Sequence, residues 1–595
     1  MTTRKWKWNQ CDGARSRCRD PLTCLVTMLL LFSGVGEPFV GVNAKAQEVA
    51  PQAAAGDLDP AFGSGGKVAT DFFGRVDAAP AMAVQSDGKI VLAGYSTNPT
   101  GTRLFGLARY NTGGSLDQTF GANGKVTTDF FHTNAAVNGI ALQGDGRIIA
   151  AGYASQPVAK AGRNGVFALA RYTTDGSLDL SFGNNGLVTT SVLGNDDLAY
   201  AVAVGPDGKI VAAGLTVNQA ALPNFAVVRY NQDGRLDTTF GNNGKVVNSV
   251  ADAADFATSA LVQPDNKILI AGQTMLSLAG VARFVVLRYN ANGSYDTGFG
   301  TNGSVISDFS QQLNFAAAIA LQSDGKIVAA GTAQLGAAFF NSEDFALARY
   351  NANGTPDGSF NGGAAFGEQT DSQTANDSIA ARLPGTVTTD FFGFEDRANA
   401  LAIQSDGKIV VAGTSHPSSN FEDYRFSVAR YRPNGELDRT FGTNGKTTTD
   451  FFGNSAGAGS VALQSDGKIV VAGATATGNP DNYDFALARL IGDVADFSLG
   501  VNQSSIVAQR GAKVPVDIAI NRVGGFTGNV TITPPDASQI GVKVKPPDPQ
   551  STTDSTIRVK LKVKDSATPG SHQLVFAGTD DSGRTRSVAL TLVVQ

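Results

Sequence analysis

Cysteine and histidine are nearly absent from this sequence. Of 595 residues only three are Cys (Cys11, Cys18, Cys24), and all three lie near the start. The rest of the chain therefore has no disulfide, no thiol nucleophile and no Cys-ligated metal. His132, His416 and His572 stand far apart, and no His-Glu-x-x-His, Gly-x-Ser-x-Gly or phosphate-loop pattern occurs. Catalysis thus has thin support. Long apolar runs are missing too: the run at 22–32 has 11 residues, short of the ~20 that a spanning helix needs. Between positions 58 and 490 no segment keeps a capped helical periodicity.

The short apolar run has a context. Arg4, Lys5, Lys7, Arg15, Arg17 and Arg19 precede it, and Ala44-Lys45-Ala46 follows as a small-x-small site. This is the order of a secretory signal. Residues 1–46 are expected to be a signal peptide, 47–57 a linker, and the mature chain secreted, periplasmic or at the cell surface with no integral membrane span. Without 1–46 the chain holds 40 basic and 49 acidic residues, a net charge of −9. An acidic chain with no basic run is a poor partner for nucleic acid.

What the chain has in plenty is glycine, 70 residues, and repetition. Asp87-Gly88-Lys89-Ile90 returns as Asp145-Gly146-Arg147-Ile148, Asp207-Gly208-Lys209-Ile210 and Asp265-Asn266-Lys267-Ile268. It returns again at Asp324, Asp406 and Asp466, with steps of 58, 62, 58, 59, 82 and 60 residues. A fixed period of this length signals a repeat architecture. In each unit two apolar runs flank the Asp-Gly turn as a hairpin, a third run follows a loop, and a short fourth follows a Gly- and Asp-marked turn. Four strands per unit, here A to D, repeated around a ring predict a β-propeller. The D-type strand appears seven times, starting at Lys67, Lys125, Leu187, Lys245, Ser304, Thr386 and Lys446. The first precedes any A strand, and nothing D-like follows the last C strand. The phase predicts an all-β, seven-bladed propeller over 58–490, closed by an N-terminal strand that leaves no open edge.

A second pattern agrees. Each C strand carries an Arg: Arg109, Arg171, Arg229, Arg288, Arg349, Arg430 and Arg489. Six are followed eight residues later by Asp117, Asp179, Asp237, Asp296, Asp357 and Asp438. Arg489 lacks a follower and Asp59 lacks a leader, so ring closure would pair them. These read as structural pairs, since Arg suits bidentate carboxylate geometry.

The unit Leu437-Asp438-x-x-Phe441-Gly442-x-x-Gly445-Lys446, with Gln464-Ser465-Asp466-Gly467-Lys468-Ile469-Val470 and Phe485-Ala486-Leu487-Ala488-Arg489, closely resembles the bacterial delta-60 repeat family. The resemblance implies an exported β-propeller and brings no general activity. The chain departs from it at Asn266, which replaces Gly, and in about 22 extra polar residues near 363–383, read as a solvated loop. From Asp496 the repeat stops and period-2 strands begin, such as Ile557, Val559, Leu561 and Val563. Residues 494–595 are expected to form a sandwich, and Arg522-Val523-Gly524-Gly525-Phe526 to Thr531 resembles the Ig-like accessory domains of exported bacterial proteins.

Sites are sought where the repeats differ. The B–C loops at 95–103, 153–165, 274–283, 334–344, 416–425 and 475–484 vary in length and content, and binding chemistry favours such loops. They place Tyr95, Tyr153, Phe339, Phe340, Phe421, Tyr424 and Tyr483 as candidate contacts for a polysaccharide or protein at the cell surface. On the same face Asp77, Asp197, Asp255 and Asp396 follow the D strands. They suit either the capping of loop N–H groups or a hard cation such as Ca²⁺. No other cofactor is implied. The expected role is a non-catalytic binding or surface-interaction protein. The alternatives are a carbohydrate-active hydrolase or lyase using rim carboxylates, and a structural envelope scaffold.

Overall fold

The computed structural model describes residues 54–595, except 158–164, 195, 219–221, 251–253, 277–280, 310–312, 336–342, 364–383, 419–422, 478–481, 494–495, 524–525, 527, 546–549 and 582. The signal segment, most of the linker, the polar insert and Phe339, Phe340 and Phe421 lie outside the described residues.

Seven four-stranded antiparallel sheets run from Lys67 to Leu490. The first blade orders β2 (Asp77–Val84), β3 (Ile90–Thr97), β4 (Arg103–Tyr110) and β5 (Lys125–Thr128). β1 (Lys67–Thr70) joins the seventh blade, pairing Lys67 with Ala488 and Thr70 with Phe485. It completes a sheet whose other strands are Ala456–Leu463, Ile469–Ala476 and Tyr483–Leu490.

The B strands are packed on both faces, so Ile90-Val91-Leu92-Ala93 is a continuous buried run and not an alternating one. Each hydrophobic core is shared between neighbouring blades. One joins Ile149 and Leu169 to Ile210 and Val228. The closing core joins Ile90, Leu92 and Tyr110 of the first blade to Val470, Phe485 and Leu487 of the seventh. Four-residue D strands form the outer edge, and short edge strands resist further pairing.

Two turn features explain the repeated glycines. In the A–B turn Gly88 sits at φ 80°, and the Lys89 N–H donates to Asp87 Oδ1 at 3.1 Å. Asn266 takes φ 65° at the equivalent place, a conformation Asn tolerates better than most residues. Each A–B pair also contains a register shift, in the seventh blade between Ala458 and Ser460. There a Cβ on Gly473 would stand 2.0 Å from the Gly457 carbonyl oxygen, so only glycine fits beside the bulge.

The C-terminal strands form two sheets. One orders Asp496–Val501, Lys513–Val523, Thr556–Val563 and Val542–Lys545. The other orders Ser505–Ala508, Thr585–Val594, Gly570–Asp580, Val530–Thr533 and Ser551–Thr552. Val516, Ile518, Val559, Leu561, Phe576 and Leu590 share their core. No helix among the described residues is long and apolar enough to cross a membrane.

Candidate functional site

The Arg–Asp pairs form at all seven C–D turns, at 2.7–2.9 Å. Each guanidinium also lies 4.4–4.7 Å from the centre of a Phe ring in its own turn. Its Nη1 reaches a main-chain carbonyl beyond its own turn, as Arg288 donates to Ala352 O at 2.5 Å and Arg430 to Gly492 O at 2.6 Å. The sequence reading missed a second cation. The A–B turn base, Lys89 in the first blade, approaches the same Asp, at 2.8–3.9 Å around the ring. Burial alone would raise Asp117. Hydrogen bonds from Thr119 and Lys89, with the charge of Arg109, hold it below the usual carboxylate range. In these turns the buried Arg and Asp of each blade engage each other, which is a scaffold role.

The opposite face carries the B–C and D–A loops, tied together by bonds such as Arg103 N–H to Asn134 Oδ1 at 3.0 Å. The sequence reading placed the candidate aromatics on loops, and the structure corrects this for three of them. Tyr95 and Tyr153 lie inside B strands (Ile90–Thr97, Ile148–Ser155), and Tyr483 begins the C strand Tyr483–Leu490. Backbone pairing continues past the apolar run, with Tyr95 opposite Phe105 and Tyr153 opposite Phe167. All three are half-buried, as is Tyr424. The Tyr95 ring is covered by Arg103 at 4.6 Å, and Tyr424 meets His416 edge-on at 4.2 Å.

More exposed apolar groups stand on the D–A loops, in a repeated Asp-Phe-Phe pattern. The first Phe anchors: Phe72, Phe130, Phe391 and Phe451 pack on Phe485, Phe105, Phe345 and Phe426 at 5.0, 4.7, 4.9 and 4.6 Å. The second projects: Phe73, Phe392 and Phe452 are 41%, 40% and 55% exposed, with Leu193 at 48% in the equivalent place. The recurring dipeptide was the signal available in the sequence.

Asp77, Asp197, Asp255 and Asp396 are not gathered into one site. Each is fully buried in its own seam between blades. Each accepts the backbone N–H five residues earlier, from Phe72, Val192, Val250 and Phe391 at 2.8, 2.7, 2.9 and 2.7 Å. Two of them have acidic company: Asp77 meets Asp71 and Asp484, and Asp396 meets Asp344 and Asp390. Burial, then the charges of Asp71 and Asp484, push Asp77 up to about 7 against the pull of two backbone N–H groups. Burial, then Asp390 and Asp344, push Asp396 up to about 9.

The family model described as "Domain of unknown function (DUF5122) beta-propeller" matches residues 85–120, 143–182, 205–240, 263–299, 322–360, 404–441 and 464–491. The first six segments run from an A–B turn to the Phe of the C–D turn. The last is shorter because its C–D turn, with Asp59 and Phe62, lies at the other end of the chain. No curated protein matches this sequence. Among solved structures, domains 4 and 5 of the S-layer protein SbsC are 13% identical with a TM-score of 0.15, covering 28% of this chain and 89% of that one. Fibronectin(III)-like modules of Clostridium thermocellum CbhA are 11% identical with a TM-score of 0.13, covering 32% and 88%. Xylan β-1,4-xylosidase from Bacillus halodurans C-125 is 8% identical with a TM-score of 0.25, covering 66% and 89%. The seven matched segments fall one per blade, and residues 85–491 are a β-propeller domain of the DUF5122 family.

Proposed function

We propose that this protein is an exported, non-catalytic binding module of the delta-60 repeat kind. It holds a cell-surface polysaccharide on the propeller face built from the B–C and D–A loops, and the C-terminal sheets are an Ig-like accessory domain that presents it. The observation that carries this reading is the recurrence of an anchored Phe followed by an exposed one at the rim, as in Phe72-Phe73, Phe391-Phe392 and Phe451-Phe452. Exposed rings offer flat apolar contact to the faces of sugar rings. Repetition of the element around a ring suits a polymer that itself repeats. The basic, apolar and small-residue order within residues 1–46 supports export.

The test is retention of the mature chain on a panel of insoluble and surface-linked polysaccharides, beside a Phe73→Ser, Phe392→Ser, Phe452→Ser variant. Retention lost in the folded variant is the expected result. Retention unchanged, or no polysaccharide held while a surface protein is captured, overturns the reading. Release of new chain ends from a held polymer overturns its non-catalytic part. Against that outcome, Asp77 and Asp396 are fully buried, with their carboxylates on backbone N–H groups.

A further inference from the structure

Three positions recur at each seam: the residue before the C-strand Phe, the residue after the D strand, and the residue six places further on. Register fixes the first two side by side, since Phe485 pairs with Thr70 and Phe345 with Thr389. In two of the seven seams all three positions are Asp: Asp484, Asp71 and Asp77 between the seventh and first blades, and Asp344, Asp390 and Asp396 between the fifth and sixth. Within each triad one carboxylate oxygen from each Asp lies within 4.8 Å of the other two.

Three carboxylates at this distance need positive charge or protons. Elsewhere the chain supplies its own. At the seam between the fourth and fifth blades the same positions hold Arg283, Asp308 and Asn314. The Arg283 Nε stands 3.2 Å from Asp308 Oδ2, and Asn314 Nδ2 donates to Asp308 Oδ1 at 3.3 Å. The two triads have no such residue among the three. Lys125 and Lys446 stand close by, but their ammonium groups donate to the main-chain carbonyls of Asp71 and Asp390, at 2.5 and 2.8 Å.

A second observation points into the triads. Asp396 is fully buried and Asp484 is 6% exposed, yet the Oδ1 atom of each has no hydrogen-bond partner. A buried carboxylate oxygen without a donor is costly, and in both triads it falls on one of the three acids. The outer members are already shaped by local bonds, with Gly74 N–H on Asp71 Oδ1 at 2.6 Å and Gly393 N–H on Asp390 Oδ1 at 2.5 Å.

We propose that the two Asp triads are two equivalent sites for a hard divalent cation of the Ca²⁺ type, one at each seam. Oxygen-only donors favour such an ion, whose 2.3–2.6 Å bonds and variable coordination number accept three carboxylates completed by water. Each bound ion would join a C strand, the exit of a D strand and the next A strand. Because Asp71 and Asp390 open the loops that carry Phe73 and Phe392, the ion would also fix those loops. The sites stand independently of the polysaccharide reading.

The test is equilibrium dialysis of the full mature chain against Ca²⁺ and against Mg²⁺, with thermal melting in Ca²⁺ and in chelator. The expected result is two Ca²⁺ per chain and a raised midpoint. Asp396→Asn and Asp484→Asn should each lower the stoichiometry to one, and the double variant to zero. Both changes are mild, because Asn314 and Asn224 already occupy the Asp396 and Asp484 positions at other seams, and the melting curve in chelator reports whether each variant is folded. A folded wild-type chain that takes up no Ca²⁺ at millimolar concentration overturns the proposal and leaves a shared proton as the counter-charge. Uptake that survives in the double variant overturns it too.

Discussion

Arg489 donates its Nε–H to Asp59 Oδ2 at 2.9 Å across 430 residues of chain. The same contact elsewhere in the ring spans eight residues, as between Arg109 and Asp117. Local turn chemistry has been reused as the ring's clasp. Lys468 stands 3.6 Å from the same Asp59 oxygen, and Arg489 also donates to the Thr112 carbonyl in the first blade.

Asp59→Ala should therefore leave two cations facing each other, with Arg489 only 5% exposed. Breaking a buried pair from one side costs about 3–5 kcal/mol. The expected outcome in urea is a lower midpoint by that order. Asp237→Ala, which breaks the equivalent local turn, should cost a similar amount if the ring unfolds as one unit. A loss confined to Asp237→Ala would show that the clasp is dispensable.

Acid should act through the same turns. Asp117, Asp179, Asp237, Asp296, Asp357 and Asp438 are all held below the ordinary carboxylate value. A depressed folded pKa contributes stability above the unfolded value of ~3.9, and that stability is lost as the pH falls through the folded pKa. The expected result is a steep, cooperative loss of sheet circular dichroism below about pH 4. A melting midpoint that stays flat from pH 5 to about pH 2 would contradict it.

The seam carboxyls have the opposite sign. Asp77 and Asp396 are pushed up to about 7 and about 9. A raised folded pKa contributes stability below the unfolded value, and that stability is lost as the pH rises through the folded pKa. In chelator the melting midpoint should fall as the pH rises through 7 and on toward 9. Asp396→Asn, which cannot ionise, should abolish the later part of that fall and keep the earlier one. An unchanged profile in this variant would remove Asp396 from the account.

The ring was legible because its evidence is periodic: the Asp-Gly turn, the C-strand Arg and the phase of the D strand all repeat. Comparing repeats for what recurs also hid what does not. Asp precedes the C-strand Phe in two of seven units, at Asp344 and Asp484, so neither stood out although each completes a triad. The projecting Phe73, Phe392 and Phe452 do not stand out, because sequence does not show which of two adjacent rings turns inward. Tyr95 and Tyr153 were assigned to loops because apolar composition ends before backbone pairing does. The pincer of Lys89 and Arg109 on Asp117 joins two turns that sequence separates by a whole hairpin.

The clasp also sets a clock. Ribosomes add about 5–20 residues per second, so the 430 positions from Asp59 to Arg489 take on the order of 20–90 s to make. Throughout that interval β1 is synthesised but its partner strand is not. Every interior blade is complete within one repeat of its own start, and the seventh is not. Within the ring the first strand made is the last to be used, so circularisation waits for the final repeat. Its edge must stay unpaired, or be kept so, until the final repeat arrives.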